Sequence, residues 1–161
     1  MKKLLLFSIA LLGFTVASNA QDISDNALGL RLGDSDGFGA EISYQRALGD
    51  INRLELDLGL RSGNGYDGFK LAGLYQWVWN IEDSFNWYAG VGGGIASYSF
   101  DKVAPGADKS NTSIFAAGDI GIEYNFDIPL QLSLDARPEF GFGDCRDDLF
   151  FDIALSIRYR F

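Results

Sequence analysis

The chain has 161 residues, a net charge of −9 at neutral pH, one cysteine and no histidine. This length suits a single domain, the acidic balance argues against nucleic acid as a partner, and a lone cysteine excludes an internal disulfide. Because histidine is the commonest general base at neutral pH, its absence closes most catalytic options, and we expect no catalytic, metal or cofactor site.

The first 20 residues have the features of a cleaved secretory signal peptide. Lys2 and Lys3 precede a short apolar run, and small residues lead to a predicted cleavage site after Ala20. A membrane-spanning helix would need about 20 apolar residues, more than this run contains. Residues 21–161 then form the predicted mature chain, one domain whose net charge is −11 once both lysines are removed.

From residue 27 onward, apolar and polar residues alternate with the period of two that is typical of β-strands. The clearest case is strand three, where Leu54, Leu56, Leu58 and Leu60 are separated by charged or small residues. No window of useful length has the period of an amphipathic helix. The alternation predicts eight strands, over residues 27–32, 38–45, 53–61, 69–79, 87–96, 114–126, 130–139 and 149–161.

The connections between these strands are predicted to be alternately long and short. Short turns fall near Gly49, Asn80 and Ile128. Cys145 lies in a longer connection, and we interpret it as an unpaired loop thiol. The longer loops are predicted at residues 33–37, 62–67, 99–111 and 142–147.

Two strands contain residues that ordinary strands avoid. Pro138 cannot donate a ladder hydrogen bond, so it predicts a fraying end of strand seven or a bulge. Gly90, Gly92 and Gly94 share one face of strand five. In a narrow barrel, such glycines would leave room for long charged side chains from the opposite wall.

Alternation alone leaves open whether the apolar face lines a core, as in a lipocalin, or meets lipid. The polar faces carry seven basic and eight acidic residues, whereas the rest of the mature chain has four basic and fourteen acidic ones. Charges that are buried together must be paired, so near neutrality predicts that the polar faces point inward. We expect a charge network in the interior that holds the strands in register. Its predicted members are Arg31, Glu41, Arg53, Glu55, Asp57, Asp119, Glu123, Asp135, Arg137, Asp152 and Arg158.

Aromatic residues of the apolar faces cluster near the short-turn ends of the strands, as in the girdle at a membrane interface. The predicted girdle comprises Tyr44, Trp77, Trp79, Trp87, Tyr124, Phe126, Tyr159 and Phe161. Candidates for a second girdle at the opposite ends are Phe38, Phe69, Tyr98, Phe140 and Phe150.

The last strand ends in Arg158-Tyr159-Arg160-Phe161 and has one continuous apolar face. It resembles the terminal strand of bacterial outer-membrane β-barrels, whose final aromatic residue is read by the assembly machinery. Together with the signal peptide, the even strand number and the girdle, this makes nearly all of the mature chain similar to small barrels such as the membrane domain of outer-membrane protein A and its X-type relatives. The resemblance implies an all-β, eight-stranded antiparallel up-and-down transmembrane barrel.

The same resemblance implies a place in the outer membrane of a Gram-negative bacterium, with periplasmic termini and extracellular longer loops. We expect a non-enzymatic, monomeric protein with a structural or surface-interaction role, a charged plugged lumen and short acidic loops. The expected partners are outer-membrane lipid and lipopolysaccharide, the barrel-assembly machinery, and a host or other cell surface. Two alternatives stay open: a narrow transport barrel for ions or small hydrophobic solutes and, less favoured, a lipid-modifying enzyme.

Overall fold

The computed structural model describes residues 23–33, 39–63, 66–100, 110–142 and 149–161. The predicted signal peptide, Phe38, Cys145 and the centres of all four longer loops lie outside these residues. Among the described residues, no helix is long and apolar enough to span a membrane. The described chain forms eight strands. They are β1 (Asn26–Gly33), β2 (Ala40–Ala47), β3 (Asn52–Gly63), β4 (Tyr66–Glu82), β5 (Phe85–Phe100), β6 (Ser110–Asn125), β7 (Leu130–Phe142) and β8 (Leu149–Arg160).

Each strand pairs antiparallel with the next along the chain, and β8 returns to pair with β1, which closes the sheet into a barrel. Along this seam Leu28 lies opposite Tyr159 and Leu30 opposite Ile157. The seam is extended at one end by two main-chain hydrogen bonds, from the Asn26 N–H to the Phe161 carbonyl (3.1 Å) and from the Phe161 N–H to the Asn26 carbonyl (2.9 Å). The predicted eight-stranded antiparallel barrel is confirmed.

Several strands extend further than alternation predicted, because main-chain pairing continues where the side chains stop alternating. Ser62 pairs with Asp67 and Gly63 with Tyr66, so most of the predicted 62–67 loop belongs to the ladder between β3 and β4. Likewise β5 reaches Phe100 and β6 begins at Ser110, within the predicted 99–111 loop. Polar and glycine residues at these ends mask the strand pattern, but backbone hydrogen bonds need no apolar side chain.

The turn predicted near Asn80 is also shorter. β4 continues to Glu82, and only Asp83 and Ser84 connect it to β5. Asp83 has a φ of 42°, the left-handed conformation that two-residue hairpin turns require and that Asp tolerates better than most residues.

Pro138 lies inside β7, so the prediction of a strand end or a bulge there is wrong. Its partner on the β8 side is Phe151. On the β6 side, pairing lapses between the Ala117–Glu139 and Ile120–Ala136 pairs. The register is unchanged across the lapse because both strands advance by three residues, so the missing proline N–H opens the ladder locally without an extra residue.

The distribution of apolar and polar residues is the inverse of a water-soluble core. Leucine and isoleucine side chains on the outer face are widely exposed, for example Leu30 (46%), Leu134 (47%) and Ile157 (43%). Inside the barrel, arginines such as Arg137 (0%) and Arg158 (1%) are almost fully buried. Charged side chains are almost never buried unless they are paired. The apolar faces therefore point outward and the polar faces inward.

An arginine substituted on the outer face tests whether that face meets lipid. We expect Leu134→Arg, well inside β7, to lower the free energy of unfolding in lipid vesicles by about 2–4 kcal/mol, the cost of a cation near the bilayer midplane. The matched variant Leu130→Arg, on the same face at the strand's end, should cost no more than about 1 kcal/mol. Equal costs in urea titrations of the two variants would contradict a lipid-facing surface.

Candidate functional site

The interior of the barrel, here called the lumen, is filled by charged side chains. All eleven residues of the predicted network are buried there, together with Lys70 and Glu139, which lay on the predicted polar faces but outside the predicted network. Each charged group is brought inward by the two-residue alternation of its strand. The buried basic residues are Arg31, Arg53, Lys70, Arg137 and Arg158, and the acidic ones are Glu41, Glu55, Asp57, Asp119, Glu123, Asp135, Glu139 and Asp152.

Arg31 on β1 gathers three carboxylates from three other strands. Its guanidinium lies 3.0 Å from Glu41 on β2, 2.5 Å from Asp135 on β7 and 2.5 Å from Asp152 on β8. Its Nε also donates to Asp135 at 3.0 Å. Planar guanidinium groups suit such a site because several N–H groups can donate at once.

Glu55 on β3 is the acceptor at the centre of a second cluster. Arg137 Nη2 approaches Glu55 Oε1 at 3.1 Å and Asp57 Oδ2 at 2.6 Å, from the opposite wall. Arg158 Nη2 reaches the other oxygen, Oε2, at 3.1 Å, and Gln45 donates to the same atom at 2.5 Å. The two arginines thus link β3 to β7 and β8, and neither of these strands is a neighbour of β3 in the sheet.

Two further ion pairs cross the lumen. Arg53 lies 2.6 Å from Glu123, donates to Gln76 Oε1 at 2.6 Å, and places its guanidinium carbon 4.7 Å from the centre of the Tyr88 ring. Lys70 Nζ lies 2.6 Å from Glu139. With the Glu55 cluster, these pairs connect separate walls at several points, whereas the Arg31 cluster ties together the four consecutive strands β7, β8, β1 and β2.

One wall of the lumen is apolar, which the sequence analysis did not predict. Leu74, Phe115 and three alanines on β4, β5 and β6 form a buried cluster, and Tyr98 packs against it. Tyr98 is therefore not part of a second outer girdle, and Phe150 shares the inward face of Asp152. The sequence did indicate this apolar wall in strand four, where Leu74 and Val78 occupy the face that is polar in most other strands.

Inward glycines make room for residues of neighbouring strands, not for charged side chains from the opposite wall as predicted. A Cβ at Gly90 would lie 2.8 Å from Gln76 Cγ, and one at Gly121 would lie 2.4 Å from Tyr88 Cζ. The side chains of Gln76 and Tyr88 occupy the space beside these glycines, because adjacent strands lie closer together than opposite strands do.

The described residues contribute less positive charge to the interior than the near-neutral balance predicted. Arg160 lies at the rim, where it donates to the carbonyls of Phe126 (2.7 Å) and Ile128 (3.2 Å), and the Arg61 side chain lies outside the described part. Among the described residues, the buried set has five basic and eight acidic members. In this part of the chain, no group of three or more histidine, cysteine, aspartate or glutamate side chains could hold a metal ion.

The structure places the eight residues of the predicted girdle on the outer face, on or just beyond the strand ends at the short-turn side. Trp79 and Trp87 stack with ring centroids 4.4 Å apart. Tyr124 contacts both Phe126 and Phe85 at 4.7 Å, so Phe85 extends the group. The aromatic residues thus contact one another from strand to strand.

A cavity at the same end is very small. It has a volume of about 10 Å³ and is lined by Ala27, Gln45, Arg53 and Glu123 among others, with Ile23 and Ser24 at its mouth. A single water molecule needs roughly this much space.

Comparison with solved structures shows which barrels this one resembles. It matches Neisserial surface protein A with a TM-score of 0.60 and 14% identity, over 86% of this chain and 94% of that one. It matches the N-terminal β-barrel domain of Pseudomonas aeruginosa OprF with a TM-score of 0.62 and 12% identity, over 89% of this chain and 100% of that one. The chain has the fold of the small eight-stranded outer-membrane β-barrels.

A transmembrane barrel designed de novo also matches this fold, with a TM-score of 0.56 and 13% identity, over 89% of this chain and 100% of that one. No protein-family model and no curated protein matches the chain. At identities this low, the likeness extends to the fold and not to any activity.

Removing Arg31 should be costly because it would leave three carboxylates without their shared cation. We expect Arg31→Met to lower the free energy of unfolding by about 3–5 kcal/mol, the range for breaking a buried ion pair. The control Arg46→Met removes an exposed arginine and should change it by less than about 0.5 kcal/mol. Urea unfolding followed by tryptophan fluorescence measures both, and an Arg31→Met protein as stable as the control would show that the cluster is not a structural tie.

Proposed function

We propose that the protein is a non-enzymatic outer-membrane barrel of a Gram-negative bacterium, with a structural or surface-interaction role. One observation carries this proposal: the closed barrel exposes its leucine and isoleucine faces and buries its arginines. Such a surface is stable against hydrocarbon and unstable in water. The lack of histidine in the chain supports a role without catalysis.

The lumen is best explained as a plug. An eight-stranded barrel is just wide enough for its interior side chains to fill it. Here the Arg137–Asp57 pair joins β7 to β3 on the opposite wall, and the Arg31–Asp135 pair joins β1 to β7 past the intervening β8. Buried pairs of this kind hold walls in a fixed relation, and moving them would separate desolvated charges. We therefore assign the network to fixing the register and closing the lumen to solutes.

The two ends of the barrel suggest its orientation. The termini, three short turns and the aromatic girdle lie at one end, which we place on the periplasmic side, and the longer loops at the other, which we place outside the cell. Lipopolysaccharide and the surfaces of other cells are then the partners within reach of the loops. One structural neighbour is a surface protein by its name, which agrees with such a role. The C-terminal strand would be the contact for the assembly machinery.

A narrow path for ions is the second candidate, because several polar atoms in the described part of the lumen make no hydrogen bond within the protein. Among the described residues these include Arg137 Nε and Nη1, Asp119 Oδ1 and Asp135 Oδ2. Buried atoms of this type are commonly bridged by water, and bridged water is a route for protons. The observation supports a hydrated interior more than an open channel.

Cell fractionation tests the location. The expressed protein should be recovered with the outer membrane, and its migration on a gel should shift on boiling because a closed barrel resists detergent until heated. Recovery in the soluble periplasm without detergent would overturn the proposal and turn the outer leucine face into a protein core.

Conductance measurements distinguish a plugged lumen from a path for ions. We expect the purified protein in planar bilayers to show no steps above background, and the double variant Arg31→Ser, Arg137→Ser to show them, because it removes the Arg137 tie between opposite walls and the space-filling guanidinium group of Arg31. Steady single-channel steps from the unaltered protein would favour transport over a purely structural role.

A further inference from the structure

The described part of the lumen contains more acidic than basic side chains. In the described part of the chain, eight buried carboxylates face five buried cations. Seven of the eight have a cation nitrogen within 4.0 Å. Asp119 is the exception in this part of the chain, which makes it the place where the missing positive charge is most needed.

Asp119 is 5% exposed and has only one hydrogen-bonding partner among the described residues. Gln76 on β4 donates to its Oδ2, reaching past Gly90 on the intervening strand. Oδ1 accepts no hydrogen bond. The next strand carries Arg137, but that guanidinium extends across the lumen to Asp57, 2.6 Å away.

The charged surroundings of Asp119 are dominated by other acids. Glu55 and Asp135 act on it with the same sign of charge, and Arg137 with the opposite sign. Tyr88 on β5 also interacts with it and carries no charge as a phenol. The groups that face it are thus Glu55 on β3, Gln76 on β4, Tyr88 on β5, and Asp135 and Arg137 on β7.

An ionised carboxylate in such a place is unfavourable, because burial removes its water and no cation nitrogen of the described residues lies within 4.0 Å of it. We propose that Asp119 is the site of a single positive counter-charge that the described residues do not supply, either a proton or a small monovalent cation such as Na⁺ or K⁺. This inference rests on the proposed membrane-embedded barrel. The described residues contain no group of three or more aspartate, glutamate, histidine or cysteine side chains that could hold a metal ion, so they offer no site of the kind that a divalent ion prefers.

The site would make the stability of the barrel depend on its surroundings. With a proton as counter-charge, raising the pH removes it and destabilises the closed barrel. With Na⁺ or K⁺, exchanging these ions for bulky choline at constant ionic strength has the same effect. In both cases the dependence disappears when residue 119 can no longer be charged.

The test compares the unaltered protein with Asp119→Asn in vesicles of uncharged lipid. Asparagine keeps the size of Asp119 and an acceptor for Gln76, so the variant should fold and keep its shift on boiling. Its urea midpoint should equal or exceed that of the unaltered protein at alkaline pH. It should also lose the dependence of the midpoint on pH or on Na⁺ and K⁺. The matched control Asp135→Asn loses a partner of Arg31 and should shift the midpoint downward under all conditions.

Infrared spectroscopy separates the two sources of charge. A carboxylic-acid carbonyl band in protein labelled with ¹³C-aspartate, absent from Asp119→Asn, identifies the proton; no such band together with a response to Na⁺ or K⁺ identifies the cation. The inference is overturned if the unaltered protein shows neither, or if Asp119→Asn is destabilised as much as Asp135→Asn. If boiling does not change the gel migration of the unaltered protein, the proposed membrane barrel itself is refuted instead.

Discussion

A hydrocarbon environment offers no partner for a backbone N–H or C=O group, and the rest of this structure depends on that constraint. A sheet meets it only by closing on itself, because an open sheet leaves two edges unpaired. The pairing of β1 with β8 is therefore the decisive contact of the fold. Once the sheet is closed, alternation leaves each strand one face for lipid and one for the interior.

Closure creates a second problem, because the inward faces are polar and the interior is narrow. The structure resolves it by sharing charges between strands: Arg31 binds carboxylates of β2, β7 and β8, and Glu55 on β3 is shared by Arg137 and Arg158 from β7 and β8. Apart from Arg31 and Glu41, which are ten residues apart, these pairs join side chains that are far apart in sequence. A network of this kind both fills space and opposes sliding of the strands, since a shift by one residue would exchange the two faces.

Much of this architecture follows from the sequence, because the period of two determines which side chains share a face. Strand number and the sharing of faces needed nothing more, whereas the inward direction of the polar faces, and with it the burial of residues such as Asp57 and Arg137, was predicted from their charge balance. The partners of these residues could not be predicted, because tilt and register decide which side chains meet across the lumen. Strand ends at Ser62 and Ser110 were missed since pairing there is carried by the backbone. Arg160 alternates with the lumen residues but lies beyond the end of the lumen, so alternation overstated the positive charge inside.

The central claim is that the apolar face meets lipid, and the native tryptophans test it without any substitution. Trp77, Trp79 and Trp87 all lie on the outer face at the girdle. In vesicles of brominated lipids, their fluorescence should be quenched most strongly when the bromines lie near the headgroups and less when they lie near the ends of the acyl chains. Fluorescence unaffected by bromine at either depth would place the tryptophans inside the protein and contradict the account.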